Sequence, residues 1–476
     1  VKENGKMNEK KRLLKNTGLI AIGNMGAKVI AFILLPMYTS ILSTEEYGTY
    51  DYIVAVCAFL LPVVTLCMHE AMFRFIIEKG DDESGFTSII SHAFLVVLSG
   101  VILLCGIVAL VNIWHPISYG NYLLLYLIAG ILYTFSVNLL RGKGEMQAYA
   151  IISSCKNILQ IILNIVAVAI LRLGFVGLIA SMCISEMLAF LVTALKSKLW
   201  KYIKLKTFSV ETFRSMITYS LPLVPDAVCA QIINISDRLI ISGFLGAGPN
   251  GVYSISYKFP NIIETVFHFF YTAWSESASR VIGYGQEKAH NYYQSLYQLI
   301  DDVMFSVILV LTASMPILFR IFIRGEYTSG FAYVPILMLA MYFDCLGKFY
   351  SGVFTAVKQT GIMATTTVVA AVVNAGINLF LISRCGLYAA ALSTLIADFI
   401  MVELRRRYIQ KFVKIKLNFK KIVLECVFGG VIWILNDYDN WLMITAGVMI
   451  AVLYAVVINR KLVQKTWNAV IRKVAN

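Results

Sequence analysis

Charged side chains are scarce in this sequence. They make up 14% of its 476 residues, whereas hydrophobic residues make up 59%. A soluble chain carries roughly 25% charged residues to cover its surface. Apolar runs of about 20 residues, enough to span a bilayer, recur from the first twenty residues to the last thirty. The sequence therefore predicts an all-α integral membrane protein that crosses the bilayer many times.

Several signatures of chemistry are absent as well. The nine cysteines occur singly, without a CxxC motif, which argues against disulfides and zinc sites. No G-x-x-x-x-G-K-[ST] motif is present, so nothing supports direct ATP hydrolysis. The stretch HEAMF at 69–73 lacks the second histidine of a zinc-protease helix. We therefore predict no catalytic residues, no metal ligands and no organic cofactor, and expect that the protein is not an enzyme.

Hydropathy predicts about fourteen transmembrane helices. Their approximate bounds are 18–42, 50–71, 86–111, 119–140, 149–171, 174–195, 214–244, 249–274, 294–323, 329–354, 361–383, 386–404, 422–435 and 441–459. The loops outside the bilayer are all short. This argues against a polysaccharide polymerase or ligase, because such enzymes typically carry a large external loop.

Positive charge is distributed unevenly along the chain. Lys and Arg number 41 against 27 Asp and Glu, and most lie in the N-terminal tail and in alternate loops. The positive-inside rule then predicts that both termini are cytoplasmic. The basic clusters at 196–206 and 405–421 are interpreted as orienting loops that rest on anionic membrane lipids. The net charge of +14 thus requires no nucleic-acid partner.

Two pairs of segments within the chain resemble each other. LSTEEYGTY at 42–50 aligns with LGAGPNGVY at 245–253, so that Leu, Gly and Tyr recur in register. GFVGLIASMCISE at 174–186 aligns with GLYAAALSTLIAD at 386–398. Six helices are an even number, so both halves start on the same side of the membrane. The repeat predicts two parallel six-helix lobes with substrate bound near mid-membrane between them.

The predicted domains follow from this repeat. Residues 1–213 form the N-lobe with helices 1–6 and the cytoplasmic tail, and residues 214–404 form the C-lobe with helices 7–12. Residues 405–476 contain a basic cytoplasmic loop, two further helices and the C-terminal tail.

Ionisable and polar side chains inside these spans are the candidate functional residues. A charge at the bilayer centre costs roughly 2.5–3.5 kcal/mol, so its presence usually has a use. At 100° per residue, four polar residues of the seventh span and four of the eighth each share an arc of roughly 120°. These are Asp226, Asn234, Asp237 and Arg238, and then Lys258, Asn261, Glu264 and His268.

Structural roles compete with functional ones at several positions. Asp344 and Lys348 stand four residues apart, in the favourable order for a self-neutralised pair on one helix. A structural ion pair between Asp237 and Arg238 that locks the two halves is an alternative to a functional role. Arg74 lies at a helix end, where an arginine commonly extends its charged group to the membrane surface.

Three segments suggest a family. NTGLIAIGNMGAKVIAFILLPMYTSILSTEEYGTYDYI, NISDRLIISGFLGAGPNGVYSISYKF and the GFVGLIAS/GLYAAALS pair resemble the polysaccharide branch of the multidrug/oligosaccharidyl-lipid/polysaccharide exporter superfamily. The similarity is to the O-antigen and capsule flippases (Wzx-type) of bacterial inner membranes. It covers nearly the whole chain, including the arrangement of six, six and two helices.

The resemblance implies a transported substrate. Such a flippase moves a polyprenyl-diphosphate-linked oligosaccharide from the cytoplasmic to the outer leaflet by alternating access. Its expected partners are membrane lipids and polysaccharide polymerase machinery. Lys and Arg supply the donors that a diphosphate needs. The expected substrate-binding residues are Lys28, Arg74, Lys156, Arg238 and Lys258. The expected coupling or gating residues are Asp226, Asn234, Asp237, Glu264, His268, Asp344 and Lys348.

Some alternatives stay open. H⁺, Na⁺ or the membrane potential could each drive the cycle, and no residue pattern identifies the sugar. Multidrug exporters of the same superfamily share this architecture but move cations, which the buried basic residues disfavour. Flippases of lipid-linked peptidoglycan precursors are a nearer alternative, because their substrate is also an anionic diphosphate.

Overall fold

A computed structural model describes residues 32–79, 85–114, 119–204, 209–281, 286–357, 359–416, 418–438, 440–460 and 464. Within these ranges the regular secondary structure is helical, without a β-strand. The α-helices are α1 Leu35–Ile41, α2 Thr44–Thr65, α3 Met68–Lys79, α4 Phe86–Trp114, α5 Gly120–Gly142, α6 Met146–Asn164, α7 Gly174–Ser197, α8 Leu199–Tyr202, α9 Val210–Ser220, α10 Leu223–Phe244, α11 Ala247–Val281, α12 Gln286–Phe322, α13 Val334–Ala356, α14 Thr360–Cys385, α15 Leu387–Ile409, α16 Phe419–Asp437 and α17 Trp441–Ile458. A π-helical stretch, Ile165–Ile170, continues α6, and a 3₁₀-helix, Gly325–Tyr333, precedes α13.

Ten helical segments of the described chain are long and apolar enough to cross a membrane. They coincide with ten of the fourteen predicted spans, and the prediction of an all-α, multi-pass membrane protein is confirmed. The first predicted span, 18–42, begins outside the described residues. The seventh, eighth and thirteenth are helical (α9–α10, α11 and α16) but are not among the ten, and α10, α11 and α16 each carry at least three charged residues.

The chain divides into two compact units, Val1–Gly251 and Val252–Asn476. In the first unit, α2 to α5 and α7 surround a core in which Met68, Met72, Ile90 and Leu139 are fully buried. Helix α10, part of the predicted C-lobe, packs against α2 in this unit. The lobe boundaries at 213 and 404 stay predictions.

Helix α2 has a well-defined start and an abrupt end. At its start, Ser43 Oγ accepts a hydrogen bond from the Glu46 amide and a Glu46 carboxylate oxygen accepts one from the Ser43 amide, which is a capping box. At its end, Leu66 and Cys67 adopt left-handed backbone conformations with φ of 47° and 52°. Such values are uncommon outside glycine. This break divides the predicted second span, 50–71, into α2 and α3, and no glycine in the sequence indicates it.

The repeated glycines of the sequence face each other in the first unit. A Cβ on Gly48 would lie 1.7 Å from the Ala247 carbonyl oxygen, and a Cβ on Gly251 would lie 2.0 Å from the Thr44 carbonyl oxygen. The fully buried Asn250 donates from Nδ2 to the Gly48 carbonyl at 2.9 Å. The N-terminal turns of α2 and α11 therefore pack backbone against backbone, which only glycine permits.

We expect Gly48→Ala to destabilise the protein by about 1–3 kcal/mol, because the added methyl meets backbone atoms that no rotamer change can move. The midpoint of thermal unfolding of the purified protein in detergent measures this. Gly106→Ala is the matched control, since a Cβ at Gly106 meets nothing within 4 Å. Equal midpoints for the two variants would contradict the proposed close packing.

In the second unit, α13, α14 and α15 pack together around a buried arginine. Arg405 is 4% exposed and donates to the Gly347 carbonyl and Ser351 Oγ, both at 2.9 Å. It also donates to Thr366 Oγ1 at 3.1 Å and Thr367 Oγ1 at 2.8 Å. The prediction that the basic cluster 405–421 rests on lipid is thus wrong for Arg405, because the guanidinium ties three helices together.

Polar contacts fasten the C-terminal helix α16 to α12. Lys421 forms ion pairs with Asp301, with Asp302 at 2.8 Å and with Glu425 at 3.2 Å. Asn436 Nδ2 donates to the Thr312 carbonyl at 2.8 Å. Lys421 is a second residue of the basic cluster that is held by protein groups.

Candidate functional site

The structure describes some of the predicted site residues and not others. Lys28 lies outside the described residues, as do the side chains of Asp226 and Asn234. Arg74, Lys156, Arg238 and Lys348 each have an acidic partner within 4.0 Å. Lys258 and Asp237 are half-buried, and His268 is exposed.

Arg238 joins α10 to α2. Its Nε lies 2.9 Å from Oδ2 of Asp51, and the two side chains are 22% and 10% exposed. Asp51 stands in the second turn of α2, three residues after Gly48, so the close packing of that turn fixes its position. An arginine and a carboxylate held at this distance form a charge-assisted hydrogen bond. The arginine is therefore tied to another helix through Asp51, and the pair with the adjacent Asp237 stays a prediction.

Lys156 and Glu186 form a second ion pair, between α6 and α7. Lys156 Nζ lies 3.8 Å from Glu186 Oε1, and the side chains are 13% and 9% exposed. The ammonium group also lies over the Tyr133 ring, 5.2 Å from its centroid, in a cation–π arrangement. Tyr133 in turn donates to Ser153 Oγ at 3.1 Å. Lys156 is thus held on two sides by protein groups.

A cavity of about 600 Å³ lies beside this pair in the first unit. Segments of α2, α3, α5, α7, α9 and α10 line it. Its polar wall includes His69, Tyr126, Glu186 and Gln231, whereas Val54, Leu61 and Leu127 are among its apolar residues. Ligand sites of proteins commonly enclose 300–1,000 Å³ with this mixture of many apolar and few polar groups. The volume and lining are therefore those of a small-molecule site.

Arg74 lies outside this cavity. On α3 it pairs with Glu78 one turn along, at 2.9 Å, and both side chains are 51% exposed. This is the ordinary geometry of a helix-surface ion pair, which contributes little to stability.

In the second unit, three of the predicted coupling residues meet. Lys348 Nζ lies 2.6 Å from Asp344 and 2.9 Å from Glu264, so α13 and α11 are joined by one ammonium group between two carboxylates. The i,i+4 pair of Asp344 and Lys348 forms as its spacing predicted. Glu264 was predicted on a separate helix, and its contact with Lys348 required the tertiary structure.

No metal centre is evident here. Among the residues that the structure describes, no three His, Cys, Asp or Glu side chains group as ligands for a metal ion.

Three residues of the candidate site were missed by sequence reasoning. Asp51 is the second residue of the predicted second span, 50–71, and was not singled out there. Glu186 attracted notice only as a repeat position. His69 is in a segment considered solely for zinc chemistry. The sequence feature that indicates Glu186 is an ionisable residue inside an apolar helix.

The Arg238–Asp51 pair makes a prediction about stability. We expect Arg238→Gln to cost about 3 kcal/mol, because it leaves a buried carboxylate without its cation. Adding Asp51→Asn should recover much of this loss. Arg74→Gln, at an exposed pair, should cost less than about 1 kcal/mol. Thermal unfolding in detergent compares the four proteins, and an unrecovered double variant would argue against direct pairing.

Comparison with known proteins gives one family match. The model of a family described as "Polysaccharide biosynthesis protein" matches residues 13–275, which is more than half of the chain. A probable low-salt glycan biosynthesis flippase, Agl15 of Haloferax volcanii, is 25% identical over 269 residues. The match covers 54% of this chain and 56% of that relative, so the chain matches little more than half of the relative's length.

Solved structures share the fold. The lipid II flippase MurJ in an inward closed conformation matches with a TM-score of 0.69 at 17% identity, over 94% of this chain and 99% of that one. An inward-facing multidrug resistance transporter of the MATE family, in the MOP superfamily, matches with a TM-score of 0.60 at 15% identity, over 81% and 98%. At these identities the likeness establishes architecture alone: the chain has the fold of these membrane transporters.

Proposed function

Because the chain belongs to the polysaccharide biosynthesis protein family, we propose that it is a flippase for a lipid-linked oligosaccharide. In this proposal, the protein carries a polyprenyl-diphosphate-linked repeat unit from the cytoplasmic to the outer leaflet of the bacterial inner membrane, for O-antigen or capsule synthesis. The family match is the observation that carries the proposal. The glycan flippase among its relatives and the transporter fold support it.

The diphosphate is the part of the substrate with most charge, and basic side chains are its natural ligands. We assign this role to Arg238 first, with Lys28, Arg74, Lys156 and Lys258 as further positions. Arg238 is the best supported of these by geometry, because the Asp51 carboxylate holds its guanidinium in one place while 22% of the side chain stays accessible. A guanidinium also has five N–H donors in a planar fork, a geometry that diphosphate oxygens accept.

Coupling to an ion forms a second part of the proposal. The Lys348 cluster contains two carboxylates that share one ammonium group, an arrangement in which the gain of H⁺ or Na⁺ changes the local charge balance. We propose Glu264, Asp344 and Lys348 as the coupling group, and Asp226, Asn234, Asp237 and His268 as residues that adjust the gate. The protein needs no organic cofactor in this scheme and catalyses no bond cleavage. It works beside a polysaccharide polymerase machinery, with both termini in the cytoplasm.

Translocation in vesicles tests the proposed substrate. We expect purified protein to move a polyprenyl-diphosphate-linked oligosaccharide between leaflets at least tenfold faster than empty vesicles do. A cationic drug and a lipid-linked peptidoglycan precursor are run in parallel. Transport of the drug alone would place the chain with multidrug exporters, and transport of the precursor alone would identify a peptidoglycan flippase.

A set of variants separates binding by Arg238 from its structural role. We expect Arg238→Ala combined with Asp51→Asn to regain stability while translocation stays at least tenfold reduced, because the diphosphate has lost its donor. Arg384→Ala, at an exposed position of α14, is the matched arginine control and should keep normal transport. Recovery of transport in the double variant would show that Arg238 acts only through Asp51.

An imposed gradient tests the coupling group. We expect an H⁺ or Na⁺ gradient across the vesicle membrane to accelerate translocation several-fold, and expect Asp344→Asn to lose this acceleration while equilibrium exchange persists. Glu326→Gln, at an exposed carboxylate, is the control. If neither gradient changes the rate and a membrane potential does, the cluster is a structural ion pair.

A further inference from the structure

Two buried polar atoms on the wall of the first unit's cavity lack hydrogen-bond partners among the described residues. They are Oε2 of Glu186 and Nδ1 of His69. Glu186 is 7% exposed and His69 is 9% exposed, so bulk solvent reaches neither side chain well. A buried acceptor without a donor is unfavourable. A ligand that supplies hydrogen bonds in this cavity therefore gains affinity from both groups.

The charge of the site selects the kind of donor. Lys156 already lies 3.8 Å from the other oxygen of Glu186, which compensates its negative charge. At Oε2 a second cation would meet the repulsion of that ammonium group, whereas a neutral hydroxyl would not. The other carboxylate of the wall, Glu70, lies 3.8 Å from His69 Nε2 and is partly exposed. The unpartnered oxygen of Glu186 thus fits a neutral O–H or N–H donor better than a metal ion or an amine.

The shape of the site points the same way. Gly130 faces Glu186: a Cβ there would lie 3.3 Å from Oε2 and would meet no other atom within 4 Å. The absence of a side chain keeps open the space in front of the carboxylate. Two tyrosines, Tyr126 and Tyr219, and the amide of Gln231 also line the cavity. Hydroxyl-accepting groups beside apolar and aromatic walls suit a sugar ring, which has polar edges and apolar C–H faces.

We propose that this cavity binds sugar residues of the transported glycolipid, with Glu186 Oε2 accepting a hydrogen bond from a hydroxyl and His69 Nδ1 bonding a neighbouring one. The inference rests on the proposed function and adds to it a place for the uncharged end of the substrate. Glu186 lies near the middle of α7, roughly 18 Å along its axis from either end. Sugars bound there would be shielded from the lipid tails.

Binding to two lipids tests the inference. The probes are undecaprenyl diphosphate and the same lipid bearing a trisaccharide of hexose and N-acetylhexosamine, each measured with the full-length protein in detergent. We expect the wild type to bind the glycosylated lipid at least tenfold more tightly. Glu186→Gln should remove most of this preference and change the affinity for undecaprenyl diphosphate much less, because Arg238, the residue assigned first to the diphosphate, is paired with Asp51 and not with Glu186.

A steric variant makes the test independent of Glu186 itself. Gly130→Leu places a side chain in the space before Oε2 and should abolish the preference for the glycosylated lipid. Gly106→Leu is the matched control, because a Cβ at this exposed helical position meets nothing within 4 Å. It should bind both lipids as the wild type does.

The outcomes distinguish the two proposals. Two results would overturn the sugar site and leave the flippase proposal intact. In the first, the wild type moves the lipid-linked oligosaccharide in vesicles but does not bind it more tightly than undecaprenyl diphosphate. In the second, Gly130→Leu keeps the preference for the glycosylated lipid, and the space is then a hydrated cavity only. A wild type that neither binds nor moves the glycosylated lipid overturns the proposed function itself.

Discussion

The cost of placing a charge inside an apolar helical protein governs this structure. Four buried or half-buried cations each lie beside a carboxylate or several neutral acceptors. Arg238 pairs with Asp51, Lys156 pairs with Glu186, and Lys348 pairs with two carboxylates. Arg405 donates hydrogen bonds to four oxygen atoms. Each of these contacts joins different helices, except the Asp344–Lys348 pair, which lies within α13. The same groups that could attract an anionic substrate therefore also determine how the helices are packed, and function and stability cannot be separated by single substitutions.

Local physics made most of the fold predictable. The bilayer demands long apolar helices, so ten described spans follow from hydropathy alone, and the resemblance to polysaccharide exporters is confirmed by the family match. The break at Leu66–Cys67 was not predictable in this way. Two residues without glycine's freedom adopt left-handed conformations there, and only the surrounding packing makes them do so.

The candidate site was predictable in composition but not in pairing. Basic residues inside the membrane can be identified from the sequence, because they are rare in apolar runs. Which carboxylate each one meets depends on contacts between distant segments: Asp51 is far from Arg238 in sequence, and Glu264 is far from Lys348. The i,i+4 pair of Asp344 and Lys348 is the exception, since helix geometry alone brings those side chains together. The cavity was not predictable for the same reason, because six helices from distant parts of the sequence contribute to its wall.

The facing glycines bear on how the two halves of the chain have diverged. A methyl group on Gly48 would strike the carbonyl of Ala247, and one on Gly251 would strike that of Thr44, so neither position tolerates drift even when its counterpart is unchanged. An ancestral duplication would then stay legible at sites where its two copies touch, such as the glycines shared by LSTEEYGTY and LGAGPNGVY.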